Sequence, residues 1–318
     1  MIHVDHVSRR YGAFTAVDDV SFSVASGEVV GLLGHNGAGK TTLMKMLTGY
    51  LEPTAGTIQV DDREIGRTAA DTRAIQAQIG YLPENCPLWP EMTVFDYLAY
   101  VAGLRGVPEG KRDQAVVDAV RRTALKDKAA AKIDTLSRGY RQRVGVAQAL
   151  LHSPSIIILD EPTNGLDPTQ IRQMRELIRE LARGATVIVS THVLPEVQAV
   201  CERVLVMRLG KLVVDARMDD LQRASRLLVR VDRDAQAVLA AVPGAGRVEA
   251  RPDPAQRFSY AVEGGEDLAP AIAAAVQRAG LQLYALQSER RDLEAVFAEA
   301  NTVPDAGASA PAGETVDA

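Results

Sequence analysis

The 318-residue sequence predicts an α/β fold built on a mostly parallel sheet, followed by a small α+β unit. Three observations carry that expectation. The runs Val29-Val30-Gly31-Leu32-Leu33 and Ser155-Ile156-Ile157-Ile158-Leu159 are continuously apolar, as in strands covered by helices on both faces. Helical patterns stand between such runs, which favours parallel strands joined by crossovers. From about residue 225 the order becomes strand, helix, strand, strand, helix, strand, the βαββαβ order of ferredoxin-like units.

Between the first buried run and a helical pattern at Leu43-Met44-Lys45-Met46-Leu47 lies Gly34-His35-Asn36-Gly37-Ala38-Gly39-Lys40-Thr41-Thr42. It fits GxxxxGK[ST], a loop whose backbone N–H groups turn inward and whose helix adds a partly positive N-terminus. Lys40 is placed to reach the β- and γ-phosphates of a nucleotide, and the Thr41 hydroxyl to take one position on Mg²⁺. A chance match in a chain of this length is on the order of a per cent. Nucleotide binding is therefore favoured over a Gly-rich turn beside a solvated lysine.

Composition narrows the class. A net charge of −5 and an aromatic content of 4% supply neither a basic footprint nor stacking platforms for nucleic acid. Cys86 and Cys201 are far apart without metal-ligand spacing and read as reduced thiols, a disulfide being the lesser alternative. No apolar run reaches 18 residues, and Met1-Ile2-His3-Val4-Asp5 is not a signal peptide. A membrane link is therefore expected to run through a partner.

Taken in order, Ile2, Val4, Val17, Val20, Phe22 and Val24 alternate with polar residues, which predicts half-buried antiparallel strands with Tyr11 in their connection. Glu52 to Gly56 is a turn before a strand over Thr57–Val60, and Ile79–Leu82 is a strand stopped by Pro83. Three prolines between Pro83 and Pro90 exclude regular structure there. Thr93 caps a helix with Val94, Leu98 and Val101 on one face, and helical pattern continues over 109–150 with a break at 134–139. That predicts a helical lobe over about 91–150 within a nucleotide-binding unit spanning 1–222. Asp167-Pro168 starts a helix whose apolar face is Ile171, Met174, Ile178 and Leu181. A buried strand over Thr186–Ser190 leads to His192, and Val204–Met207 and Leu212–Val214 form a hairpin through Gly210. The accessory unit spans 225–300 and ends in a helix over 292–300. Residues 301–318 lack apolar pattern and are expected to be disordered.

Two acids close the most buried run. An unpaired carboxylate at Asp160 would be costly, and holding Mg²⁺ offsets the cost. Glu161 points elsewhere, which suits a base polarising a water. Alone, the two could also be helix caps, the lesser alternative; behind a phosphate loop they read as catalytic. His192 stands at the neighbouring strand end, in position to sense a γ-phosphate, although a lone histidine there is more often a packing residue.

One further stretch, Leu136-Ser137-Arg138-Gly139-Tyr140-Arg141-Gln142-Arg143, resembles the ABC ATPase signature written LSGGQ. With it the whole motif series stands in family order over roughly residues 1–220. Tyr11 matches the aromatic A-loop, Gly34 to Thr42 the Walker A loop, and Ser137 and Gly139 the signature. Ile156 to Glu161 matches the Walker B strand, Asn164-Gly165-Leu166-Asp167 the D-loop, and His192 the switch histidine. The chain is thus similar to ATP-binding subunits of ABC transporters, and Pro83-Glu84-Asn85, Pro87-Leu88 and Pro90 to Val94 resemble the type-2 exporter branch with its gliding-motility and multidrug members. The resemblance implies a P-loop NTPase fold with an antiparallel β subdomain and a helical subdomain, ATP and Mg²⁺ as ligands, and Glu161 and His192 as catalytic groups. It implies nucleotide contacts from Tyr11, His35, Asn36, Ala38, Ser137, Gly139 and Asp167, and metal contacts from Thr41, Asp160 and Glu84.

The resemblance further implies a head-to-tail dimer, most simply of identical chains, that sandwiches ATP between Walker A of one copy and the signature of the other. It implies a separate membrane permease at the cytoplasmic face of the cell membrane, with Leu88 and Trp89 as contacts; the alternative for Trp89 is packing on its own lobe. Two positions depart from the pattern. Glu84 stands where the family has Gln, and Arg138 and Tyr140 alter the signature. A nucleotide switch with little hydrolysis is therefore the rival reading. The C-terminal unit reads as a dimer brace or structural element, with regulatory ligand binding as the alternative.

Overall fold

The structure, a computed structural model, describes residues 1–223, 225–252 and 258–290. Antiparallel strands β1 (Ile2–Tyr11) and β2 (Phe14–Val24) open the chain, and β3 (Val29–Leu33) runs into helix α1 (Lys40–Leu47). Next come β4 (Ala55–Val60), β5 (Arg63–Glu64), α2 (Ala69–Gln76) and β6 (Ile79–Leu82). The irregular loop over 83–93 leads to α3 (Val94–Leu104), α4 (Glu109–Arg122) and α5 (Arg138–Leu150). Then follow β7 (Ile156–Asp160), α6 (Pro168–Leu181), β8 (Thr186–Thr191) and α7 (Leu194–Val200). Strands β9 (Arg203–Arg208) and β10 (Lys211–Arg217) and helix α8 (Met218–Arg223) complete this part. The last unit comprises β11 (Ser225–Val231), α9 (Gln236–Ala240), β12 (Val248–Arg251), β13 (Phe258–Glu263), α10 (Ala269–Arg278) and β14 (Leu283–Arg290).

The central sheet has the order β10-β9-β3-β8-β7-β6 and is parallel from β9 to β6. Strands β3, β6, β7 and β8 are buried along their whole length because both faces are covered, whereas the edge strand β10 alternates exposed and half-buried residues. Val30, Leu32, Ile156, Ile158 and Ile188 join one core with α1 and the antiparallel sheet β2-β1-β4-β5. Val29, Leu33, Ile157, Leu159, Val187 and Val189 join the opposite core with Met174 and Ile178 of α6 and Val197 of α7. Burying one such side chain is worth about 1.5–3 kcal/mol, so the continuous runs hold as strands only in this two-sided setting.

Helices α3, α4 and α5 enclose a third core, with Leu98, Val116, Val120 and Val144 fully or nearly buried. Helix α5 joins this lobe to the sheet: Val144, Ala147 and Leu151 face the lobe, while Val146 and Leu150 belong to the sheet's core. The final unit forms the antiparallel sheet β12-β13-β11-β14 with α9 and α10, which is the ferredoxin-like order.

Several expectations shift in detail. Tyr11 ends β1 rather than lying in a connection, and β4 begins at Ala55. Tyr97 and Ala102 join Val94 and Leu98 inside α3, while Val101 is only partly buried. Leu177 replaces Ile171 on the buried face of α6. Helix pattern stops over 123–137, a longer break than the spacing predicted, because Ala124 takes a left-handed φ of 53° and two short 3-10 turns follow. Helix α7 went unpredicted: seven residues with Pro195 in the first turn show too little of a helical period. The helix expected over 292–300 and the disorder expected over 301–318 lie outside the described residues.

The contact between β6 and α5 is close. A Cβ on Gly80 would stand 2.3 Å from the Ala149 carbonyl oxygen and 2.9 Å from Pro154 Cγ. Gly80→Ala is expected to cost about 1–3 kcal/mol, measured as a lower midpoint in denaturant unfolding; an unchanged midpoint would show that the helix yields there.

Candidate active site at three strand ends

The sheet order places β7, β8 and β3 side by side, so their carboxyl ends share one edge of the molecule. Ligands of open parallel sheets bind at such an edge. After β3 the chain passes through Gly34–Gly39 into α1. Gly39 is the N-cap at φ 99°, with no side chain to cap the helix and no acid in its first turn. The α1 amides are left to an external anion. The loop is pressed from behind: a Cβ on Gly39 would meet the Ala16 carbonyl oxygen at 2.4 Å. On Gly34 it would meet the Met207 carbonyl oxygen at 2.5 Å. The Gly210 amide donates to the Ala38 carbonyl at 3.1 Å from the β9–β10 turn.

Lys40 is 6% exposed. Its ammonium donates to the Gly34 carbonyl at 2.7 Å and to the His35 carbonyl at 3.3 Å, and lies 3.6 Å from Glu161 Oε1. Glu161 Oε2 is 2.9 Å from His192 Nδ1. Lysine, glutamate and histidine thus form one row across the ends of β3, β7 and β8. Glu161 holds φ at 50°, a left-handed value that costs a non-glycine residue on the order of 1–3 kcal/mol. That turn separates its side chain from Asp160, which lies on the same face of β7 as Ile156 and Ile158.

Asp160 is fully buried, and neither of its carboxylate oxygens accepts a hydrogen bond of ordinary geometry. Burial pushes its carboxyl above the usual range; the nearby Ser190 and Thr41 hydroxyls oppose the rise, and Glu84 and Glu161 add to it. An orphaned buried carboxylate beside a threonine hydroxyl fits a divalent cation. Among the described residues no three His, Cys, Asp or Glu side chains form a protein-only metal site, so phosphate oxygens and water would have to complete the shell. Phe14, Ala16, Asn36, Gly37, Gly39, Lys40, Thr41, Thr42, Glu84 and Glu161 line a cavity of about 300 Å³ here. A larger depression of about 720 Å³ beside Arg105, Lys111 and His152 lies away from every one of these groups and lacks convergent carboxylates.

The aromatic at the cavity is Phe14, not Tyr11. The two pair across the β1–β2 turn, and the Arg9 guanidinium lies 4.7 Å from the centre of the Tyr11 ring. A residue three positions on, at the other side of a tight turn, was the available signal. Ser137, Gly139 and Asp167 are also outside the cavity. Ser137 caps α5, accepting from the Tyr140 amide, and Asp167 caps α6, with Oδ1 accepting from the Thr169 and Gln170 amides at 2.8 and 2.9 Å. These two helix starts are packed together. A Cβ on Gly139 would meet Gln170 Cδ at 2.5 Å, and one on Gly165 would meet Arg138 Cζ at 2.5 Å. Arg138, one of the two altered signature positions, therefore lies against the Gly165 backbone.

Comparison with known proteins places these features in context. The family described as ABC transporter matches residues 17–164. The chain is 37% identical over 223 residues to an uncharacterized ABC transporter ATP-binding protein, YxlF of Bacillus subtilis, covering 70% of this chain and 73% of that protein. It is 34% identical over 263 residues to the methionine import ATP-binding protein MetN 2 of Bacillus cereus, 78% of each. A solved ATP-binding subunit of an ABC transporter superposes with a TM-score of 0.63 at 30% identity, over 70% of this chain and 92% of the other. A dimeric ATP-binding cassette in a post-hydrolysis state bound to ADP and Pi has a TM-score of 0.63 at 24% identity, covering 69% and 99%, a likeness of fold.

A carboxyl whose pKa is raised by folding is most easily accommodated below its unfolded pKa, and that accommodation is lost as pH rises through the folded value. Asp160→Asn should therefore raise the thermal midpoint by a few degrees at neutral pH, with the gain shrinking as pH falls into the carboxylate range. Melting curves across pH check this; a midpoint lowered at neutral pH would contradict it.

Proposed function

This chain belongs to the ABC transporter ATP-binding proteins, and from that premise we propose that it powers export through a separate membrane permease. Its reaction is hydrolysis of ATP to ADP and phosphate. The convergence of Lys40, Asp160, Glu161 and His192 on one sheet edge is the observation that carries the mechanism.

In this reading the amides of Gly34–Thr42 cradle the phosphates, Lys40 takes the β- and γ-phosphate charge, and Phe14 or Tyr11 covers the base. Thr41 and Asp160, with Glu84 beside them, would hold Mg²⁺, which would supply charge neutralisation at the phosphates. Pairing of Lys40 with phosphate releases Glu161 Oε1, now 3.6 Å away. That oxygen takes a proton from water as the water oxygen bonds to γ-phosphorus and the bond to ADP breaks. His192, 2.9 Å from the other carboxylate oxygen, steadies Glu161 and faces the γ-phosphate.

Ser137 and Gly139 lie outside the Lys40 cavity of their own chain, which supports a second copy supplying them in a homodimer. Closure on ATP and opening after hydrolysis would then drive the permease. No described helix is long and apolar enough to cross a membrane. In this reading the permease holds the chain at the cytoplasmic face. Trp89 is 51% exposed and rests in a tilted contact on Tyr100 of α3, with ring centres 4.8 Å apart, so it packs on its own lobe while leaving an aromatic surface suited to a docking helix. Leu88 instead packs against the core of its own lobe. The exporter-like run from Pro83 to Val94 supports export; import is the second reading, favoured by likeness to the methionine import relative. Transport into or out of oriented vesicles separates the two.

Glu161→Gln should lower ATP turnover by about 10²–10⁴-fold, the range for a general base, while nucleotide binding persists. Unchanged turnover would remove Glu161 from that role. In the assembled transporter, Trp89→Ala should reduce transport and spare basal hydrolysis; equal loss of both would count against docking.

A further inference from the structure

Behind the Glu161–His192 pair lies a second buried carboxylate that the mechanism does not use. Glu196, in the first turn of α7, is 5% exposed. Its Oε2 accepts from the Thr191 hydroxyl at 3.1 Å and also from the Thr163 hydroxyl. Thr191 immediately precedes His192, and Thr163 follows Glu161 by two residues. The Thr191 oxygen in turn accepts from the Val193 amide at 3.1 Å, on the other side of His192. Above this hub the Glu161 amide donates to the Ser190 carbonyl at 2.9 Å.

These bonds close a ring. Starting at Glu161, the chain reaches Thr163, crosses Glu196 to Thr191, and returns through His192 to the Glu161 carboxylate. A buried acid is costly unless hydrogen bonds satisfy it, and an apolar residue would fill this place in the core more cheaply. The strained left-handed backbone of Glu161 also persists only where its surroundings over-determine it. Neither the helix period of α7 nor the sheet needs an acid at 196. What needs one is the fixed spacing of the two turns.

We infer that Glu196 is a positioning residue, which holds the turns after β7 and β8 at the separation where Glu161 and His192 meet. The inference rests on the reading of those two as the catalytic pair. A misplacement of about 1 Å can cost on the order of a hundredfold in rate, so the hub acts on turnover rather than on nucleotide affinity.

The test uses the full chain with Glu196→Ala and Glu196→Gln. Glu196→Ala should lower kcat by about 10- to 100-fold with nucleotide Kd unchanged. In the nucleotide-free protein it should speed hydrogen exchange over 161–166 and 190–194 and leave α1 and β3 as they were. Glu196→Gln, whose amide oxygen can accept from both threonines, should recover most of the rate and the exchange protection. Wild-type kcat in Glu196→Ala would overturn the inference. So would equal damage by both substitutions with loss of nucleotide binding and a lower melting midpoint, since that pattern marks a merely structural residue. Glu161→Gln and His192→Ala, run alongside, keep the two readings apart. If those variants hydrolyse ATP normally, the catalytic assignment fails; if they lose turnover and Glu196→Ala does not, only the role of Glu196 falls.

Discussion

An ammonium group held at 6% exposure has to be neutralised, and most of the site's geometry is arranged around that requirement. Lys40 cannot retreat into solvent, because Gly34 and Gly39 press the loop against the backbone at Met207 and Ala16. It is satisfied instead by two loop carbonyls and the Glu161 carboxylate. A triphosphate would compete for the same cation at close range, where Coulomb attraction in a partly desolvated site is strong. On the proposed reading, the cation that binds phosphate is also the one beside the carboxylate that activates water, so one charge would link binding to activation.

That coupling depends on strand adjacency. Lys40 follows β3, Glu161 follows β7 and His192 follows β8, and these strands are neighbours in the order β3-β8-β7. Parallel pairing sets all three carboxyl ends at one level, with Leu33 opposite Thr191 and Asp160 opposite Ser190. The apolar residues inside each strand hold the register, since a slip of one position would turn every side chain to the wrong core. Packing far from the chemistry therefore fixes distances within it. Helix α5 extends the same logic to the helical lobe, because one of its faces belongs to the sheet's core and its first residue lies against the Gly165 loop.

Much of this was legible in the residues alone. The phosphate loop, the two-sided burial of β7, the Thr93 and Asp167 caps and the order of elements after residue 225 all follow from patterns within a few neighbouring positions. Where the reading slipped, the cause was equally local. Tyr97 and Val101 stand four residues apart on one face of α3, and periodicity cannot say which of them the lobe will cover. A seven-residue helix beginning near a proline carries too little period to be seen, so α7, and with it Glu196, stayed hidden.

The sequence by itself determined that this chain binds phosphate on a parallel-sheet scaffold, because turn chemistry, capping and apolar periodicity depend on near neighbours. Only the tertiary structure decided what touches what. Glu161 and His192 stand 31 residues apart, Thr163 and Glu196 stand 33 apart, and neither spacing marks a pair. Phe14 rather than Tyr11 lines the cavity, although the two face each other across a two-residue turn. Such choices are made by strand order and by the close approach of backbones at Gly34, Gly39 and Gly80, which a linear pattern does not encode.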